Sequence, residues 1–197
     1  MHTKHESSRR RFLRRATQVV GAVGLAGAAW PFIASWEPSA RARAQGAPVR
    51  ADLSKLEPGQ QITVAWRGKP VWILRRTDAM LDRLPELDAR LRDPQSKIQS
   101  QQPAYADNAH RSLRPQYFVA VGLCTHLGCV PTLREEIAPD DLGPDWLGGY
   151  FCPCHGSRYD LAGRVYKNVP APLNLLVPPC RFVTDTQVEI GTDPKPA

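Results

Sequence analysis

Cys124-Thr-His126-Leu-Gly-Cys129 and Cys152-Pro-Cys154-His155-Gly-Ser157 are the two stretches that decide how this chain is read. They hold four of its five cysteines and two of its five histidines. His2, His5 and His110 have no cysteine near them in sequence, and Cys180 stands alone. Six soft or borderline ligands in two short boxes make a metal site or a disulfide framework. A Cys-x-His pair followed by a Cys-x-x-His pair offers two thiolates and two imidazoles. Cys129 and Cys154 are left over, one per box, and can bridge the two loops in an oxidising compartment. Thiolates suit an iron–sulfide core, and two imidazoles in place of two thiolates on one iron remove negative charge and raise its potential. Structural zinc stays open on this spacing, because two Cys and two His also complete a tetrahedral zinc site. A c-type haem is excluded: it needs Cys-x-x-Cys-His, and the second box has one residue between its cysteines.

The rest of the sequence says where such a centre works. The net charge is +7, with +5 contributed by residues 1–15 and +2 by residues 37–50, so that the chain from Ala51 onward is neutral. The basicity flanks one segment and does not cover a folded surface, which argues against a nucleic-acid partner. From Ala16 to Trp36 no residue is charged, a length that spans a hydrocarbon core as a helix. Gly24 and Ala28, four residues apart, would let neighbouring helices approach closely. The preceding arginines predict a cytoplasmic N-terminus. Ser8-Arg-Arg-Arg-Phe-Leu-Arg14 has the form of a twin-arginine export signal, a route that carries proteins already folded around a cofactor. Ala40-Arg-Ala42 and Ala42-Arg-Ala44 also fit small-x-small cleavage patterns. A retained anchor is favoured because the apolar stretch exceeds a signal-peptide core. Residues 37–48, short and without apolar periodicity, read as a tether.

In the exported part, the 19 prolines point to a loop-rich, strand-rich fold. Ile62–Trp66 and Pro70–Leu74 read as strands around a turn at 67–69. Thr77 caps a helical stretch that places Met80, Leu84, Leu87 and Leu91 on one face, interrupted at Pro85. Residues 93–116, polar and containing Pro94, Pro103 and Pro115, read as a long loop across the surface. Tyr117–Leu123 is an apolar strand leading into the first box, and Arg181–Ile190 is a strand pair. No internal repeat and no phosphate-cradling glycine loop is present.

Three longer stretches carry a resemblance: Val121-Gly-Leu-Cys-Thr-His-Leu-Gly-Cys-Val-Pro131, Cys152-Pro-Cys-His-Gly-Ser-Arg-Tyr-Asp160 and Val169-Pro-Ala-Pro-Leu-Asn-Leu175. They resemble the Rieske iron–sulfur subunits of cytochrome bc complexes, bacterial type with a twin-arginine anchor. Trp66-Arg-Gly-Lys-Pro-Val71 resembles the base-domain hairpin of the same subunits. The resemblance implies a mainly β fold, an antiparallel β-sandwich with a small cluster-binding subdomain, preceded by one N-terminal transmembrane helix. The expected division is a cytoplasmic twin-arginine region (1–15), anchor (16–36), tether (37–48), base domain (49–117), cluster-binding subdomain (118–180) and C-terminal return strands (181–197).

The resemblance further implies one [2Fe–2S] cluster, with Cys124 and Cys152 on one iron, His126 and His155 on the other, and a Cys129–Cys154 disulfide clamping the loops. Ser157 would donate a hydrogen bond to a bridging sulfide, and Tyr159 one to the Cys124 sulfur; both stabilise the reduced cluster and raise its potential. Leu127 and Gly128 would shield the cluster, and Pro170 and Pro172 would belong to a proline loop covering a third side. Val169 departs from the family's usual glycine there. Cys180 has no counterpart and reads as a buried free thiol. His155, with His126 beside it, would face ubiquinol bound at cytochrome b. The tethered head would then pass its electron to cytochrome c1, within a dimeric quinol–cytochrome c reductase in the bacterial plasma membrane, the cluster domain on the periplasmic side. The rival reading is the small Rieske subunit of a periplasmic oxidase such as arsenite oxidase.

Overall fold

The computed structural model describes residues 8–39, 42 and 46–194. The cleavage-like sites at 40–44 and part of the tether lie outside them. Two compact units, residues 1–44 and 45–197, are each taken by themselves.

The first unit is helix α1, Ser8–Ala34. It starts eight residues before the uncharged stretch, so the twin arginines form its first turns, and it ends two residues short of Trp36. Pro31 lies in its last turn, and the helix stops three residues later. Its side chains, Val19, Val20, Val23, Leu25, Trp30 and Phe32 among them, are exposed within the chain. The helix is long and apolar enough to cross a membrane.

The second unit is three antiparallel three-stranded sheets. Strands β2 (Gln61–Trp66), β3 (Lys69–Arg75) and β4 (Tyr117–Val121) form the middle one, in the order β2-β3-β4. The hairpin turn is the two residues Arg67 and Gly68, with φ of 51° and 71°, the geometry that matches the twist of the flanking strands. Lys69 is already in the strand, one residue earlier than expected. Alternation along β3 sends Val71 and Ile73 to one side and Trp72 and Leu74 to the other. All four are buried, since both faces of the sheet are covered. On the first face Val71, Ile73, Val119 and Val121 pack on Ala51, Val188 and Ile190. These come from the sheet β1-β9-β8: β1 (Val49–Asp52), β9 (Gln187–Ile190) and β8 (Cys180–Thr184). On the second face Trp72, Leu74 and Phe118 pack with Tyr150, Tyr159, Cys124 and Cys152. Trp72 stacks on Tyr150 with ring centroids 4.7 Å apart, so the base is packed directly against the small third sheet. That sheet is β5 (Thr132–Arg134), β6 (Gly149–Phe151) and β7 (Arg158–Tyr159).

Thr77 caps a short helix α2, Asp78–Asp82, accepting from Met80 N at 3.2 Å. Pro85 then opens a 3₁₀ segment, Leu84–Arg90. Met80, Leu84, Leu87 and Leu91 are all buried.

Residues 93–116 lie across the surface for most of their length, as expected, with Ser96, Gln102, Ala106, Arg111 and Ser112 turned inward. The segment contains two 3₁₀ turns, Gln99–Gln101 and Ala104–Ala106. Arg111 is fully buried and donates to the carbonyls of Ala162, Gly163, Gln101 and Leu175 and to Gln102 Oε1. Buried irregular backbone leaves carbonyls that need donors, and a guanidinium carries five N–H groups in one plane. Arg76 does the same for Pro115 and Leu161. Burial lowers both guanidinium pKa values to about 10.

Candidate metal centre

The two boxes are the loops β4–β5 and β6–β7, and they fold alike. Cys124 N donates to Cys129 O at 2.7 Å, and Gly128 N returns to Cys124 O at 2.9 Å. Cys152 N donates to Ser157 O at 2.8 Å, and Gly156 N returns to Cys152 O at 2.9 Å. Each turn closes through a glycine four residues after its first cysteine, with φ of +80° at Gly128 and +75° at Gly156. Nothing lies within 4 Å of a Cβ built on either. The glycines are there for the left-handed backbone and not for space.

This folding brings the predicted residues together. Cys124 and Cys152 are buried free thiols. Cys129 and Cys154 form a disulfide, Cα atoms 6.6 Å apart, and tie one box to the other. The sulfurs of Cys129, Cys152 and Cys154 lie within 4.8 Å of one another. Because two of these are joined, Cys124 and Cys152 are the thiols in the boxes left for a metal. The His126 and His155 rings face edge to face, centroids 4.8 Å apart. His155 is exposed and His126 half-buried. Leu127, 72 % exposed, stands beside them at the tip with Gly128.

Tyr159 Oη is 3.2 Å from Cys124 Sγ. Burial acts to raise the Cys124 pKa, but Tyr159, the backbone N–H of His126, Cys152 and Ser157 outweigh it, and the thiol titrates below its ordinary value. Burial pushes Cys152 up. Ser157 Oγ accepts from Ala171 N at 3.1 Å, which leaves its own proton for another acceptor. That bond also fastens the proline loop: Ala171 is buried, while Pro170 and Pro172 are exposed. Val169 is half-buried against the core, and its carbonyl accepts from Arg92 at 3.3 Å. Cys180 is buried and free, far along the chain in β8.

Sequence reasoning missed two contributors. Thr125 N–H donates to Tyr159 Oη at 3.0 Å, and Thr125 Oγ1 donates to Leu173 O at 2.6 Å. It therefore links the first box to Tyr159 and to the proline loop. Asp160 and Arg164 form a wholly buried pair, Oδ2 to Nε 2.7 Å, beneath the second box. Their four-residue spacing was the available signal.

The donor set fits a [2Fe–2S] group bound by two thiolates and two imidazoles: two unbridged buried thiols and two paired rings stand on the same two loops, with the Tyr159 hydroxyl beside one thiol. Comparison with known families agrees. Residues 48–179 match the Rieske [2Fe-2S] domain, and residues 1–39 match the "Ubiquitinol-cytochrome C reductase Fe-S subunit TAT signal". The ubiquinol-cytochrome c reductase iron-sulfur subunit of Allochromatium vinosum is 60% identical over 94% of this chain and 89% of its own length. That of Rhodospirillum rubrum is 49% identical over 94% of this chain and 93% of its own. Among solved structures, a chain described as "Hyperthermophilic respiratory Complex III" matches at 26% identity and a TM-score of 0.48, covering 89% of this chain and 98% of that one. With a Rieske domain over most of its length and a matching export signal before it, the chain belongs to the Rieske [2Fe–2S] family and, within it, to the ubiquinol–cytochrome c reductase iron–sulfur subunits.

Proposed function

We propose that this chain takes one electron from ubiquinol at a cytochrome b surface and delivers it to cytochrome c1, as the iron–sulfur subunit of a dimeric complex. The observation that carries the reading is the edge-to-face pair of imidazoles, His155 exposed and His126 half-buried, on the same two loops as two buried free thiols. We assign Cys124 and Cys152 as ligands of one iron, and His126 and His155 as ligands of the other. The bound [2Fe–2S] group supplies a one-electron centre of raised potential, because imidazoles replace two thiolates. The chain's own residues supply the rest. His155, the more exposed ring, takes the hydrogen bond and then the proton of the quinol hydroxyl. Leu127 and Gly128 form the apolar tip against the partner, and the loop from Val169 to Pro172 keeps water from the third side. Tyr159 would hold its proton towards the Cys124 sulfur, and Ser157 would have its own proton free for the bound group. Helix α1 is retained as a single-pass anchor with its N-terminus in the cytoplasm, residues 37–48 act as a tether, and the cluster domain works in the periplasm.

The test is to purify the tagged chain from the native membrane in mild detergent. Spectra of b- and c-type haems in the preparation, and quinol-dependent reduction of cytochrome c that is lost with His155→Ala, are expected. A preparation without b haem would point instead to a periplasmic oxidase subunit. An intact mass that includes residues 1–44 is expected for a retained anchor.

A further inference from the structure

A cavity of about 350 Å³ opens beside the start of the proline loop, lined by Arg90, Asp145, Arg158, Tyr166, Lys167 and Asn168 among others. Three cations face one carboxylate there, and that carboxylate is taken: Asp145 pairs with Arg90. Arg158 donates to Leu142 O at 3.0 Å, and Lys167 to Ala89 O at 2.8 Å, both backbone carbonyls. Asp141 lies within electrostatic reach of Arg158, but its two oxygens are held by the Arg134 guanidinium. The lining thus carries two positive charges in excess. A second observation comes from Tyr166. It is 7% exposed, and its hydroxyl is buried with no hydrogen-bond partner. Burial first, and the Asp160 carboxylate next, raise its pKa, against the opposing charges of Arg158, Arg90 and Arg164. A buried hydroxyl left unpaired is costly, and a small outward turn of the Tyr166 ring would let it donate to an anion held in the cavity.

We propose that this cavity binds a small oxyanion of the phosphate class, held by Arg158 and Lys167 and by a hydrogen bond from the Tyr166 hydroxyl. The excess of two charges matches a dianion, and guanidinium suits oxyanion geometry. Arg158 belongs to β7, while Lys167 and Asn168 lead into Val169. A bound anion therefore fastens the entry of the proline loop to the cluster sheet. The inference does not depend on the electron-transfer reading. The anion is either free phosphate or the phosphate of an anionic lipid headgroup.

The full-length protein, cluster included, is placed in phosphatidylcholine nanodiscs. Inorganic phosphate is titrated by calorimetry at constant ionic strength in a buffer free of other multivalent anions. Saturable one-to-one binding is expected, about tenfold weaker in Tyr166→Phe, for one lost hydrogen bond to a charged group, and abolished in Arg158→Gln/Lys167→Gln. In phosphate-free buffer Tyr166→Phe melts no lower than wild type, because it removes an unpaired hydroxyl. Added phosphate then raises the wild-type melting temperature more than the variant's. Weakening of phosphate binding by phosphatidylglycerol in the disc identifies the lipid headgroup as the source; indifference to it identifies free phosphate. No saturable binding, or equal binding by wild type and both variants, overturns the proposal.

Discussion

Tyr159 has one hydroxyl proton and two acceptors within reach, Cys124 Sγ at 3.2 Å and Thr125 Oγ1 at 3.1 Å. Thr125 narrows the choice. Its own proton goes to Leu173 O, and its backbone N–H fills a lone pair of the Tyr159 oxygen. A thiolate is the stronger acceptor for the remaining proton. Tyr159→Phe should therefore lower the midpoint potential by on the order of 60 mV, the one-electron equivalent of about 1.4 kcal/mol. Redox titration at unchanged iron content checks this, and an unmoved potential contradicts it. Ser157→Ala should lower the potential too, and it also strands Ala171 N–H. Cys180 carries a prediction of another kind. Burial pushes its thiol from an ordinary 9.0 up to about 11. The folded protein holds that proton more tightly than the unfolded chain, so the associated stability is complete below about pH 9 and lost as pH rises towards 11. Cys180→Ala should flatten the fall in melting temperature over that window. At this scale the ligand types and Tyr159 were legible, because chemistry restricts metal sites to few residues. Thr125 was not: what it holds depends on Leu173, 48 positions away.

The loops that carry the cluster residues are short turns held by partners from distant elements. Asp160 Oδ1 accepts from Ala162 N and Arg164 N, and Oδ2 from Arg164 Nε. Arg164 then reaches Asp88 at 2.7 Å, Leu84 O at 2.7 Å and Pro94 O at 3.1 Å. One buried guanidinium thus ties the turn after β7 to the 3₁₀ segment and to the start of the long loop at Pro94. Asp160→Ala leaves that charge without its buried partner and should cost about 3–5 kcal/mol. A melting temperature lower by roughly 10 °C, followed by circular dichroism, is expected; a loss of 2 °C or less contradicts this role. The hairpin and the Thr77-capped helix were legible because turn chemistry and apolar spacing are local. Strands β5 to β7 were not, being two or three residues long and defined by pairing across loops. Arg111 misled for a related reason: an arginine among polar residues reads as solvated until the carbonyls around it are known.

For the molecule as a whole, the second unit is a sheet buried on both faces, with the cysteine–histidine boxes folded against one of them. Its stiffness follows from Trp72 stacking on Tyr150 and from the disulfide joining the boxes. The apolar helix and the neutral part from Ala51 onward were legible from charge distribution alone. The packing of three sheets was not, because continuous apolar runs such as Tyr117–Val121 tell that both faces are covered and not by what. The central claim is a high-potential [2Fe–2S] centre in this setting, and low-temperature electron paramagnetic resonance tests it most directly. A Rieske signal after ascorbate, a mild reductant, is predicted. A signal that appears only with dithionite contradicts the high potential, and no signal with either reductant, with zinc found by metal analysis, contradicts the cluster itself.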